Sequence, residues 1–280
     1  MLHALTSPVI TEIIKRPSAT CKTPYVADIT IDNETVLAHT PALGCCGLSD
    51  KGCRVIVSPI QKKGNKCQYS VDLAIVEEGE HEIVIGIHPK IGENLVAKML
   101  SLNCLSFLHD QSQSKREVSY LNSRFDYTGI DADGIPYVME VKNVPLADYV
   151  DVPKKERKKY AGIEKTKHYT EKIAYFPDGY RKNSTTVVSP RALKHVEELA
   201  IVKNTSEHRA ILCFVVQRPD VKQFQPSNID LTYRKAVQDA WKKGVEIYAV
   251  QVEWNINGEC RFIRDDLPVV LFDTCGPFLN

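Results

Sequence analysis

Asp126, Glu140 and Lys142, in the stretch SRFDYTGIDADGIPYVMEVKNV, have the types and spacing for metal-assisted chemistry. Side chains alternate faces along an extended strand. Glu140 and Lys142 in YVMEVK therefore share one face, with Met139 and Val141 on the other. In SRFDYT, Arg124 and Asp126 share a face, opposite Phe125 and Tyr127. Ala132-Asp133-Gly134 suits a three-residue hairpin loop with glycine in the left-handed position. If Asp131 pairs with Ile135, that register sets Asp126 across from Glu140 and Arg124 across from Lys142. Like charges facing each other across a strand pair are destabilising. A divalent cation between Asp126 and Glu140 relieves the first conflict, and an incoming phosphate relieves the second. Hard carboxylate oxygens suit Mg²⁺ or Mn²⁺. Such a metal polarises a phosphoryl oxygen and lowers the pKa of its bound water. A lysine beside that water orients it or stabilises developing charge. The same pattern also fits a surface hairpin with a charged solvent face and diagonal salt bridges. The spacing alone leaves both readings open.

The elements around this hairpin change rhythm along the chain. PYVADITI, CRVIVSPI, CQYSVDLAIVE and HEIVIGIH, within residues 24–87, are rich in Val, Ile and Tyr and separated by turn residues. About five short strands with no long helix between them predict a small barrel or sandwich. Residues 92–103 then read as a helix with Leu95, Met99 and Leu102 on one face. The polar run HDQSQSKRE (109–117) is the expected domain junction. Beyond it, 118–129 and 135–144 read as strands. Residues 189–203 read as a helix capped by Ser189 with Pro190 at its first position. AILCFVV (210–216) is a strand buried on both faces. Residues 229–243 form a second helix and 245–254 a further strand. Helices alternating with apolar strands imply a mixed α/β sheet covered on its faces.

The chain has 280 residues and a formal net charge of +1, with 43% apolar and 25% charged residues. That length predicts two domains with cores of their own. The composition excludes a coiled coil, a collagen-like repeat and wholesale disorder. No apolar run reaches the roughly 18 to 20 residues of a membrane span, so no membrane role is expected. Nine cysteines without a C-x-x-C pair, and an N-terminus lacking a continuous apolar run, predict reduced thiols in the cytoplasm or nucleus rather than secretion. Near-neutrality hides one basic segment: residues 151–194 carry a net +7. Composition alone favours a solvated insertion there over a phosphate-contacting loop.

Asp, some 10 to 15 residues, then Glu-x-Lys on a neighbouring strand resembles the signature of the PD-(D/E)xK nuclease superfamily, with Phe125 where that motif has proline. From near residue 10 to about 271 the chain resembles the sugar fermentation stimulation protein A (SfsA) family. The resemblance is carried by VADITIDNETVLAHTPALG, SRFDYTG, YVMEVKNV, FPDG, RALKHVEEL, RAILCFVVQRPDVKQFQPSN and KGVEIYAVQVEW. It implies an α/β plus all-β protein. An N-terminal OB-like small β-barrel (residues 1–110) would be followed by a mixed-sheet α/β restriction-endonuclease-like domain (residues 111–280). A basic insertion at about 145–175 has little family counterpart. The implied function is DNA binding with a nuclease-type divalent-metal site. The alternative is a non-catalytic nucleic-acid-binding regulator on the same scaffold, and DNA stands ahead of RNA as partner.

Carried over residue by residue, Asp126 and Glu140 become metal carboxylates, with Mg²⁺ or Mn²⁺ as cofactor, and Lys142 the catalytic lysine. Gln217, at the end of FVVQ, joins them at the edge of the site to position a water or phosphate. Arg124 and Arg218 become phosphate contacts, and Lys194 and His195 of the helical K-H pair contact the backbone of the nucleic acid. Lys154, Lys155, Arg157, Lys158 and Lys159 of the insertion add a basic surface. Asp178 of FPDG reads best as a turn carboxylate. The family's H-x-P-N-T-G motif is altered here to His39-Thr40-Pro41-Ala42-Leu43-Gly44.

Overall fold

A computed structural model of the chain describes residues 1–41, 45–62, 64–153, 155–179 and 186–272. Its strands are β1 (His3–Ala4), β2 (Val9–Lys15), β3 (Val26–Ile31), β4 (Glu34–His39), β5 (Arg54–Pro59), β6 (Tyr69–Glu78) and β7 (His81–Gly86) in the first part. Helix α1 (Pro89–Ser101) follows, then β8 (Ser112–Tyr120), β9 (Ser123–Ile130), β10 (Pro136–Val144), β11 (Ala147–Asp148) and β12 (Lys172–Phe176). The chain ends with α2 (Pro190–Thr205), β13 (Arg209–Val216), β14 (Val221–Pro226), α3 (Leu231–Lys242), β15 (Glu246–Trp254) and β16 (Glu259–Arg264).

Strands β4-β3-β2-β5-β6 pair in that order, and parallel pairing of β4 with β6 closes them into a five-stranded barrel. Its inside is filled by Ile13, Ile29, Val55, Val57, Val71 and Ile85. The sheet then continues through β7 to β15, β13, β10, β9 and β8. The mixed α/β half is therefore joined edge to edge with the barrel, through the pair Trp254↔Val84. Pairings of β10 with β13 and of β13 with β15 are parallel, and those of β8 with β9 and of β9 with β10 antiparallel.

Helices cover both faces of this second half. Leu95, Val96 and Met99 of α1 pack with Tyr127, Tyr137, Met139 and Val141. Val196 and Leu199 of α2 and Tyr233 and Val237 of α3 pack with Phe125, Val138, Leu212 and Phe214 on the other face. The end of α1 differs from expectation, because Leu102 lies past the last turn and is exposed. Ser189 caps α2 by accepting from the Ala192 N–H, and Asp230 caps α3 the same way through Tyr233. No helix among the described residues is long and apolar enough to cross a membrane.

Several strands have no clear signal in the sequence, among them β2, β8, β11, β12, β14 and β16. The first barrel strand, β2, buries only Ile13 fully, so its alternation is faint. The expected junction at 109–117 is mostly β8, an edge strand with almost every side chain exposed and no apolar period to betray it. The basic insertion is folded, not a loose decoration. It contains β11, three short 3-10 turns and β12. It docks on the barrel, where Tyr169 stacks on His81 at 4.0 Å and the Tyr149 hydroxyl meets Glu78 at 3.0 Å.

Candidate metal site

The β9–β10 hairpin takes the expected register at its closed end. The Asp131 N–H donates to the Ile135 carbonyl, Gly134 has a positive φ of 80°, and the pairs run from Ile130↔Pro136 to Tyr127↔Met139. There the ladder stops. The next residues do not face each other as an ideal ladder would have them. Instead the Asp126 carboxylate accepts the backbone N–H of Val141 at 2.8 Å, filling the place of a strand partner. Arg124 is correspondingly not across from Lys142. It pairs with Ser119 of β8, is exposed, and forms an ion pair with Glu117. The expected clash of two cations is absent because the β9–β10 ladder ends at Tyr127↔Met139, before Arg124.

Glu140 is 3% exposed, on the α2–α3 side of the sheet with Val138. Its Oε1 accepts from both Lys142 Nζ and His195 Nδ1. Its Oε2 is sealed from solvent and has no hydrogen-bond partner. Burial alone raises the pKa of Glu140, but the Lys142 ammonium and the His195 bond outweigh it and hold the carboxyl below its ordinary value. Asp126, half-buried, moves the other way: burial, then the charge on Glu140, push it up to about 7. The two carboxylates are thus close enough to oppose a second negative charge, and Glu140 keeps the one that is held.

A third carboxylate, Glu93 of α1, adds to the pressure on Asp126. The spacing in the sequence gives no hint of it. Only the fold brings α1 here, through the Tyr127 hydroxyl donating to the Glu93 carbonyl at 2.6 Å. Tyr233 of α3 is a second neighbour that the sequence does not betray. It is fully buried, its hydroxyl has no partner, and burial together with Glu140 raises its pKa. Among the described residues no three His, Cys, Asp or Glu side chains form a ready-made metal cage. The donor set is two carboxylates, one with an unpartnered buried oxygen. Carboxylate oxygens are the donors a hard cation such as Mg²⁺ or Mn²⁺ takes, and the Glu140 Oε2 that would face it is closed to solvent in this state.

Three expected contacts are turned inward. Gln217 is fully buried on the α1 side of the sheet, opposite Glu140 and Lys142. Its Oε1 accepts from Trp254 Nε1 at 2.9 Å and its Nε2 donates to Asn143. It holds β13, β10 and β15 together and does not reach the carboxylates. Arg218 is 4% exposed and grips Asp220 with two nitrogens at 2.6 and 2.7 Å, so it has no face toward a phosphate. His195 is buried against Glu140 and Phe125 rather than presented to a nucleic-acid backbone. Lys194 is exposed but donates to the Asn122 carbonyl at 2.7 Å.

The insertion splits in the same way. Arg157 is tied to Tyr175, Val152 and Asp148. Lys155, Lys158 and Lys159 are exposed, while Lys154 lies outside the described residues. Asp178 bonds the adjacent Gly179 N–H, as a turn carboxylate does.

Residues 90–258 match the family model described as the sugar fermentation stimulation protein RE domain. The chain belongs to the SfsA family. A sugar fermentation stimulation protein homolog from Alkalilimnicola ehrlichii is 32% identical over 234 residues, spanning 81% of this chain and 84% of the relative. The homolog from Clostridium tetani is 28% identical over 262 residues, 93% of this chain and 96% of its own. Among solved structures, Pyrococcus furiosus SfsA in complex with Ca²⁺ superposes with a TM-score of 0.74 at 20% identity, covering 96% of this chain and 98% of the other. The SfsA fold thus extends over both the barrel and the α/β half.

Proposed function

We propose that this SfsA-family chain is a nucleic-acid-binding protein, DNA its first candidate partner, with a nuclease-type divalent-metal site that hydrolyses phosphodiester bonds. The observation that carries the reading is the unpartnered, buried Oε2 of Glu140 beside an Asp126 whose pKa is pushed up to about 7. An acidic pair that repels itself, with an ammonium alongside, is best stabilised when a cation neutralises it. The Ca²⁺ bound to the Pyrococcus furiosus relative supports a hard-cation site in this fold.

Asp126 and Glu140 would hold Mg²⁺ or Mn²⁺, which when bound polarises a phosphoryl oxygen and acidifies a water. Lys142, beside Glu140, would orient an attacking water or neutralise charge growing on the phosphoryl oxygens. Asp126 is held in place beside Glu140 by accepting the Val141 N–H. The exposed Lys155, Lys158 and Lys159 supply charge for the phosphate backbone. The E-x-K strand between parallel and antiparallel neighbours supports likeness to the PD-(D/E)xK domain. The free thiols of the eight described cysteines support residence in a reducing compartment such as the cytoplasm.

A non-catalytic binding scaffold is the competing reading. It is favoured by the closed state of the site, in which Lys142 pairs with Glu140. One assay separates them. Purified protein with Mn²⁺ should nick plasmid or shorten oligonucleotides, and both Glu140→Ala and Asp126→Ala should abolish this. Cleavage that survives in both variants, or no cleavage with DNA binding intact, contradicts the catalytic reading.

A further inference from the structure

The buried face of α2 is apolar except at two places, His195 and Glu198, among Ala192, Val196, Leu199, Ala200 and Val202. A histidine in such a face needs a bond to offset its desolvation. His195 Nδ1 finds one in Glu140 Oε1, across the helix–sheet interface. The ring is held from the side by Phe125, with centroids 6.3 Å apart and planes at 55°. Its helix is anchored at the start by the Ser189 cap. Lys142 Nζ approaches the same oxygen and lies 3.4 Å from Nδ1. Two donors therefore converge on one carboxylate oxygen, and the other, Oε2, is left without any.

We propose that His195 is a positioning residue for the metal carboxylate: its Nδ1–H fixes the rotation of Glu140 so that Oε2 is presented to the cation beside Asp126. This rests on the two-carboxylate reading of the site. Lys142 alone does not serve, because it rides on the same strand as Glu140 and is itself needed toward the substrate. His195 comes from a different element and keeps Glu140 oriented when Lys142 lets go. Carboxylate ligands are commonly held by a second group in this way, and loss of that group weakens metal binding by about 10- to 100-fold. Tyr233 is the rival for this role, since its buried hydroxyl also lies within the field of Glu140.

The test titrates Mn²⁺ into the whole, folded chain and reads affinity by calorimetry and by the electron paramagnetic resonance of free Mn²⁺. The variants are His195→Asn, whose amide nitrogen stands near the place of Nδ1, and His195→Gln, whose amide stands near Nε2 and cannot bond Glu140. His195→Gln should weaken Mn²⁺ by about 10- to 100-fold, and His195→Asn should restore affinity close to wild type. A purely structural role would lower melting temperature in both without this split. Wild-type affinity in a folded His195→Gln overturns the proposal. So does a loss of affinity in Tyr233→Phe that His195→Gln does not share, which would place the orienting bond on α3. A wild-type chain that takes up no Mn²⁺ overturns the metal reading itself, and this inference with it.

Discussion

Glu140 offers one oxygen to two donors and the other to none, while nearby Asp126 carries a proton more readily than a surface aspartate does. On the proposed metal reading, this arrangement trades stability for a binding capacity. Asp126→Asn should show it. The amide oxygen still accepts from Val141, and the repulsion with Glu140 is gone. The metal-free variant at neutral pH should be as stable as wild type or more stable by about 1 kcal/mol, while Mn²⁺ binding falls below detection. Thermal melts with and without the ion check both halves.

A second buried carboxylate gives a pH test away from this site. Asp72 on β6 is 3% exposed and bonded by the Ser58 and Ser70 hydroxyls, and burial pushes it up to about 6. A raised carboxylate contributes fully at low pH, and its contribution is lost as pH rises through the folded pKa. Relative to Asp72→Asn, the wild type should lose about 1 to 2 kcal/mol between pH 5 and pH 8. Equal pH profiles in denaturant melts would refute this.

At the scale of elements, what positions the site is a hairpin that stops pairing at the right residue and a helix that crosses it. Gln217 shows how sequence position misleads here. It ends a buried strand, where a site residue is expected, yet it faces the other side of the sheet. There it ties Trp254 and Asn143 together and, through its backbone, Gly86 of β7. A Cβ at Gly86 would come within 2.1 Å of its side-chain oxygen, so only glycine fits. Gln217→Ala should lower stability by about 2 to 4 kcal/mol by stranding two buried polar groups and opening space. Mn²⁺ affinity of the folded variant should be unchanged. A selective loss of metal binding would return Gln217 to the site.

The closed end of the hairpin and the Ser189-capped helix were legible because each rests on local chemistry: alternation, a cap and a glycine turn. The facing of Asp126 with Glu140 and of Arg124 with Lys142 was not, because the ladder ends at Tyr127↔Met139. The inward turn of Arg218 and His195 was not. Arg218 meets Asp220 only through burial, and His195 meets Glu140 only because α2 crosses the sheet there. Nor was β8, whose side chains face water on both sides.

Across the whole molecule, barrel and α/β half share one sheet of 13 strands, and the insertion bridges them. The bridge is anchored by Lys172, buried between Glu78 of the barrel and Asp220, each at 2.8 Å. The basic excess of residues 151–194 is therefore divided. Arg157 and Lys172 serve the fold, and the exposed lysines remain for a polyanion. If Lys155, Lys158 and Lys159 touch phosphates, their replacement by alanine should weaken DNA binding. It should also flatten the dependence of log affinity on log salt by about 0.9 for each phosphate no longer neutralised. An unchanged slope would make these lysines bystanders.

Whether Asp126 and Glu140 share a cation is decided by anomalous diffraction from a crystal of the chain soaked in Mn²⁺. A single strong peak is expected about 2.1 to 2.2 Å from an oxygen of each carboxylate, with Glu140 contributing Oε2 and His195 still bonded to Oε1. A peak that ignores either residue, or no peak between them at saturating Mn²⁺, would remove the shared cation and the hydrolytic chemistry built on it.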